Sequence, residues 1–137
     1  GYSSSMAKPS EDLDGIFRSL KALLVEYETP RSGVVLEGRS ASGNDFDLWS
    51  VRDLLVDGRP RKEVFFAGIR RQKSFVGFYF FPVYTDPTVG PLLAPPLLKL
   101  LKGKSCFHVK STEGGLLDLI RSALDKGLDA YQKRGWV

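Results

Sequence analysis

The most reactive side chains of the sequence lie in one stretch, GKSCFHVK, which runs from Gly103 to Lys110. It contains the only cysteine and the only histidine of the 137-residue chain. A thiol close to an imidazole could form a cysteine nucleophile, and neighbouring lysines would favour the thiolate. Cys106 and His108 are therefore candidates for a thiol-dependent activity.

The geometry of a strand favours a different interpretation. The stretch has the pattern of a β-strand, in which alternate side chains share a face. Phe107 and Val109 would face the core, and the opposite face would carry Lys104, Cys106, His108 and Lys110. Side chains two positions apart on a strand stand about 6–7 Å apart, too far for a direct hydrogen bond. We therefore interpret the stretch as a mixed strand face and assign no catalytic residue.

Other machinery for catalysis or cofactor binding is absent from the sequence. It has no P-loop, no dinucleotide-binding glycine fingerprint, no zinc-ligand pair and no nucleophile elbow. One cysteine and one histidine supply two of the usual four ligands of a structural zinc ion. We therefore predict no cofactor and no metal site, and we favour a protein that is not an enzyme.

Composition and charge point to a small globular protein. The length fits one domain, which we place at residues 6–137; we interpret GYSSS at residues 1–5, before the only methionine, as a cloning leftover. No apolar run approaches the length that spans a bilayer, and a single cysteine favours a reducing, cytoplasmic setting. The net charge of +4 is mild, so nucleic acid is a minority prediction for the partner.

The spacing of hydrophobic residues along the chain predicts an α+β fold, whose elements position Cys106 and His108. Helical spacing follows Ser10, the predicted N-cap of the first helix, and a second amphipathic helix closes the chain. Between them we expect a mostly antiparallel sheet of about five strands, with a short helix before the last strand. The predicted strand segments are GVVLEGR, DFDLWSVRDLLV, EVFFAGI, SFVGFYFFPVY and SCFHVK.

The central hairpin of this predicted sheet is apolar on both faces. If Ile69 faces Ser74 across the turn, one face carries Phe65 and Ala67, and the other carries Phe66 around Gly68 and Gly77. Both faces should then be covered by a helix, a partner chain or a ligand. The two glycines would leave a notch between rings, filled by protein or by a small apolar ligand. With the strand that follows, the candidate ligand-binding residues are Phe66, Phe75, Tyr79, Phe81, Lys104, Cys106, His108 and Lys110.

The segments VFFAGIRRQKSFVGFYFFPVYTDP and LLKLLKGKSCFHVK, followed by an amphipathic helix, resemble the YdhG-like (YdhG/YdeI) domains of unknown function. The resemblance covers Val64 to Tyr131. It implies a small α+β domain, and one member of that family is regarded as a frataxin-like iron chaperone. Iron binding of that type uses acidic residues of the first helix and the adjacent strand, and of these this sequence has only Glu11, Asp12 and Asp14 in the helix as a loose match.

These observations predict a small cytoplasmic binding module with a site for an anionic or aromatic molecule. The partner would be such a ligand or a second copy of the chain, and we expect no membrane partner. Frataxin-like iron binding and a thiol-dependent activity at Cys106 are the alternatives.

Overall fold

The computed structural model describes residues 12–31 and 33–137. The predicted leftover at residues 1–5, together with Ser10 and Glu11, lies outside the described residues. The helices and strands follow in the order α1 Leu13–Val25, β1 Glu37–Arg39, β2 Asp45–Val56, β3 Arg59–Arg71, β4 Val76–Phe80, α2 Phe81–Thr85, α3 Pro95–Leu98, β5 Leu101–Lys102, β6 Cys106–Val109 and α4 Leu116–Lys133. The predicted α+β class is confirmed.

The six strands form one antiparallel sheet in the order β1-β2-β3-β4-β6-β5. The short strand β5 is the one that the sequence did not predict. The two longest strands, β2 and β3, are joined by Asp57 and Gly58, whose φ angles are 51° and 76°. An Asp-Gly pair in the left-handed region suits a two-residue hairpin turn, because that turn matches the twist of the strands. The turn predicted over DGRPRK is therefore shorter, and β3 already begins at Arg59.

The two long helices lie together on one face of the sheet. Helix α1 contacts β3, β4 and α4, and α4 also contacts α2 and α3. Of the stripes that helical spacing predicts, Leu13 is half-buried, and the other residues are buried, namely Ile16, Phe17, Leu20, Leu24 and Tyr27 near α1 and Leu116, Ile120, Leu124 and Tyr131 in α4. Asp12 caps α1 by accepting a hydrogen bond of 2.6 Å from the Gly15 amide. Among the described residues, no helix has the length and apolar character needed to cross a bilayer.

The pairing of the central hairpin differs from the predicted register. Ile69 pairs with Phe78 rather than Ser74, and the turn between β3 and β4 covers residues 72–75. Because the shift is an even number of residues, each side chain of β4 keeps its predicted face. The observed register therefore changes the position of the turn, and the two faces of β4 carry the residues that were predicted for them.

A β-bulge in β3 does exchange faces. Between β2 and β3 the pairing passes from Leu48–Ala67 to Trp49–Phe65, which leaves Phe66 without a cross-strand partner. An extra residue in one strand shifts the alternation of side chains by one position. The residues on the two sides of the bulge therefore follow different alternations.

Phe66 lies in the core and not on the predicted ligand-binding face. It is fully buried and meets the rings of Phe80 and Tyr131 edge to face, at centroid distances of 5.9 and 5.3 Å. Phe65 takes its place on the opposite face, where it is half-buried. The predicted position of Phe66 on the ligand-binding face is wrong, because the bulge depends on the partner strand β2 and leaves no local signal in β3.

Prolines and one glycine set the boundaries after β4. The predicted strand through Tyr84 ends at Phe80, since Pro82 has no amide hydrogen for the ladder and lies instead in the first turn of α2. Pro95 and Pro96 begin α3, the short helix that the sequence predicts. That helix ends at Leu98, and Gly103, with a φ of 74°, lies in the turn between β5 and β6.

Candidate functional site

The sheet has a second face, opposite α1 and α4, which we call the uncovered face. Residues paired across an antiparallel ladder share a face. Ile69, Phe78 and Phe107 pair with one another and are fully buried under the helices. Their neighbours point the other way, and the uncovered face therefore carries Asp47, Trp49, Phe65, Gly68, Arg70, Gly77, Tyr79, Cys106 and His108.

Most of the predicted site residues meet on this face. Tyr79 pairs with Cys106, and His108 pairs with Gly77 and stacks on Phe75. Phe81 and Lys104 join them through contacts with Phe65 and Tyr84, described below. Two of the predicted residues are elsewhere: Phe66 in the core, and Lys110 beyond the end of β6, where it lines a depression between α3 and α4.

The expected notch at the two glycines is filled by the protein itself. A Cβ atom on Gly68 would overlap the Asp47 carboxylate and would lie 3.1 Å from a ring carbon of Phe65. A Cβ atom on Gly77 would lie 3.0 Å from the Tyr79 ring and 3.5 Å from Cys106 Sγ. The glycines therefore allow neighbouring side chains to lie flat on the strands, and they leave no cavity for a ligand.

The histidine and cysteine do not form a nucleophile pair with an activated thiol. The His108 ring stacks on Phe75, with 3.8 Å between the centroids and 12° between the planes. Burial raises the pKa of the Cys106 thiol above its usual value, and a hydrogen bond with Tyr79 acts in the opposite direction. The direction of this shift is opposite to the one expected from neighbouring lysines, so the thiolate is disfavoured at neutral pH.

A continuous row of four aromatic rings crosses the uncovered face. Trp49 meets Phe65 edge to face at 5.5 Å, and Phe65 meets Phe81 in the same manner at 6.1 Å. Phe81 then contacts Tyr84 at 5.5 Å. We call Trp49, Phe65, Phe81 and Tyr84 the ring row. Phe81 and Tyr84 belong to α2; Trp49, Phe65 and Phe81 are half-buried, and Tyr84 is 51% exposed.

A cation lies at each end of the ring row. The Arg39 guanidinium is 5.0 Å from the centre of the Trp49 ring, and Lys104 Nζ is 5.5 Å from the centre of the Tyr84 ring. Both distances are those of cation–π contacts. Of the four rings and the two cations at their ends, the predicted site contained only Phe81 and Lys104. Trp49 could have been found as the residue that alternates with Asp47 on β2, whereas Tyr84 required the helix that follows β4.

The arginines of the uncovered face are neutralised by acidic partners. Arg70 donates two hydrogen bonds to Asp47, at 2.6 and 3.2 Å, and Arg39 donates two to Glu63, at 2.8 and 3.1 Å. The hydrogen bond from Arg39 lowers the pKa of Glu63. Such bidentate pairs leave little net charge for a ligand.

The lysines near β5 and β6 have no acidic residue close to them in the sequence. The only charged residues in the segment 87–112 are Lys99, Lys102, Lys104 and Lys110. The remaining sixteen Lys and Arg residues are matched by the sixteen Asp and Glu residues, so this segment accounts for the whole net charge of +4. Lys102 pairs with Cys106 across the ladder and therefore shares the uncovered face.

The acidic residues of the first helix have structural partners. Asp12 caps the helix, and Asp14 forms an ion pair with Arg71; Glu11 lies outside the described residues. Within residues 12–31 and 33–137, no group of three or more His, Cys, Asp or Glu side chains is arranged to hold a metal ion.

Comparisons with known proteins give no relative from which a function could be transferred. No protein-family model, no curated protein and no solved structure matches the chain.

Proposed function

We propose that this chain is a non-enzymatic binding module whose uncovered face takes a small planar anion, such as an aromatic carboxylate. A site of this kind needs apolar ring surface for contact and a cation to orient the charged group. The ring row supplies the surface, and Lys104 lies at its exposed end beside Tyr84. Lys102 lies on the same face.

The observation that carries this proposal is the contrast between the two ends of the ring row. At Trp49 the cation is Arg39, which is already held by Glu37 and Glu63. At Tyr84 the cation is Lys104, which belongs to the segment without any acidic residue. An anion therefore gains most at the Tyr84 end, because Lys104 forms no ion pair with a carboxylate of the described residues, whereas Arg39 forms two.

Binding of 2-naphthoate, compared with its uncharged analogue 2-naphthalenemethanol, tests the proposal by isothermal titration and thermal shift. We expect 2-naphthoate to bind and to raise the melting temperature, and the alcohol to do so more weakly. The double variant Lys102→Gln/Lys104→Gln should weaken binding of the acid. The double variant Lys21→Gln/Lys62→Gln changes the net charge equally at exposed positions of α1 and of the β2–β3 hairpin and should not. Equal binding by both double variants would contradict the proposal.

A second candidate is that another protein chain covers this face. It is favoured by exposed apolar residues of β2: Val51, two positions from Trp49, is 52% exposed, and Leu55, near the hairpin turn, is 61% exposed. Exposed apolar patches of this kind mark interaction surfaces. Sedimentation equilibrium over a range of concentrations tests whether the partner is a second copy. Association that is lost in Val51→Lys would favour this candidate, and a monomer at all concentrations would exclude self-association.

The family and the compartment remain proposals as well. We propose a relation to the YdhG-like domains, which is supported by the order of aromatic hairpin, short helix, GKSCFHVK strand and closing amphipathic helix. A cytoplasmic setting is supported by the single, unpaired cysteine.

A further inference from the structure

A groove separate from the uncovered face lies at the edge of the sheet, between α3 and the start of α4. It encloses about 320 Å³, at the small end of the range for ligand sites. Its apolar wall is formed by Pro96 and Leu100 on one side and by Leu116 and Leu119 on the other. Leu100 and Leu119 are only partly buried, so apolar surface remains available in the groove.

Two charged side chains of opposite sign, Lys110 and Glu113, lie at the rim of the groove. Lys110 lines the groove and is exposed. It belongs to the segment 87–112, whose charged residues are all lysines. Glu113 also lines the rim, and its carboxylate lies 3.4 Å from the hydroxyl of Ser111. An apolar wall with a lysine at its rim complements a molecule that has an apolar tail and a single negative charge.

The volume limits the length of the tail. At roughly 30 Å³ for each atom of the size of a water molecule, the groove holds about ten non-hydrogen atoms. A carboxylate with a straight chain of eight carbons has this size. We propose that the groove between α3 and α4 binds a free medium-chain carboxylate, with its tail against Leu100, Leu116 and Leu119 and its carboxylate at Lys110. This site is distinct from the planar-anion site on the uncovered face.

Titration of the full chain with octanoate, followed by NMR of the leucine methyl groups, tests this inference. We expect saturable shifts at Leu100, Leu116 and Leu119, with 1-octanol and butyrate binding more weakly because each lacks one half of the ligand. Shifts that map instead to the ring row, octanol binding as tightly as octanoate, or no saturation at millimolar octanoate would each overturn the inference.

Variants separate the contribution of charge from that of the groove. Lys110→Gln should weaken octanoate binding up to about fivefold, the range of a surface ion pair. Glu113→Gln removes the negative charge at the rim and should strengthen binding. Leu119→Trp should abolish binding by filling the groove, and the two charge variants keep the test valid if that variant does not fold. An unchanged affinity in Lys110→Gln would overturn the assignment of the carboxylate.

The same titration separates this site from the proposed function. Lys102→Gln/Lys104→Gln, which should weaken 2-naphthoate binding, should leave octanoate binding unchanged. Loss of octanoate binding in that double variant would show that the carboxylate binds on the uncovered face and would overturn the separate groove site.

Discussion

Phe75 and His108 stack face to face, with 3.8 Å between their ring centroids, and thereby join the β3–β4 turn to strand β6. Stacked ring pairs contribute about 0.5–1.5 kcal/mol beyond their buried area. A double-mutant cycle with Phe75→Ala and His108→Ala should therefore give a coupling free energy in this range. Urea unfolding of the four proteins measures it. Additive effects would show that the stack does not stabilise the fold.

Gly127→Ala should destabilise the protein, although alanine normally favours a helix interior by about 1 kcal/mol over glycine. A Cβ atom at this position in α4 would lie 2.6 Å from the Phe80 ring and 2.8 Å from Pro82. Overpacking of this kind costs about 1–3 kcal/mol. Gln132→Ala, at an exposed position of the same helix, is the control and should change the free energy of unfolding by less than about 0.5 kcal/mol. A stabilised Gly127→Ala variant would contradict the close packing of α4 on the sheet.

Asp45 should make the stability of the protein depend on pH in acid. Hydrogen bonds from the amides of Ala41 and Ser42 lower the pKa of its carboxyl from 3.8 to about 2. The folded protein therefore binds this proton less readily than the unfolded chain, so the stabilisation is present above pH 3.8 and is lost as the pH falls toward 2.

Asp45→Asn should accordingly be less stable than the parent at neutral pH, and the two unfolding free energies should converge in acid. Asp53→Asn is the matched control, because that carboxylate is exposed and its one ion pair within residues 12–31 and 33–137 is with Lys62. A difference between parent and Asp45→Asn that stays constant from neutral pH to pH 2 would exclude the lowered pKa.

Trp136 connects the end of the chain to the long hairpin. It is buried, packs edge to face on Tyr131, and its Nε1 donates a hydrogen bond of 2.8 Å to the carbonyl of Leu55. Trp136→Ala should cost about 3–5 kcal/mol, the usual penalty for removing a large buried ring. Trp136→Phe retains a ring but leaves the Leu55 carbonyl unpaired, which should cost about 1–3 kcal/mol. Chemical denaturation measures both, and an unchanged stability of Trp136→Phe would show that the indole hydrogen bond is irrelevant.

Cys106 should react slowly with iodoacetamide at neutral pH. Burial raises the pKa of its thiol above 9.0, so the reactive thiolate is scarce. Tyr79→Phe removes the hydrogen bond that lowers this pKa and should slow the reaction further. The rate as a function of pH gives the pKa directly. Alkylation faster than that of a small-molecule thiol would restore Cys106 as a candidate nucleophile.

Local patterns were sufficient for the helices and for most strands. The stripe of α4 and the stripe of α1 are buried as their spacing predicts, because helical periodicity is a property of neighbouring residues. The start of α1 at Leu13 and the early end of β4 also have local causes, in the Asp12 cap and in Pro82. These boundaries moved by a few residues without changing the architecture.

The candidate site depended on contacts between distant residues. The bulge at Phe66 exists only because β2 pairs with β3 across it, and no residue type in β3 predicts it. Whether Gly68 leaves a notch depends in the same way on a distant residue, because Asp47 fills this space from the neighbouring strand.

The sequence by itself determined the α+β class, the two amphipathic helices and the position of Cys106 and His108 on the same face of one strand. These features follow from the periodicity of nearby side chains. Only the tertiary structure decided that Phe65 and not Phe66 lies on the uncovered face, that four rings meet in a row, and that Lys110 lines a separate groove. Strand register and side-chain packing bring together residues far apart in the chain, and such contacts carry no signature in a local pattern.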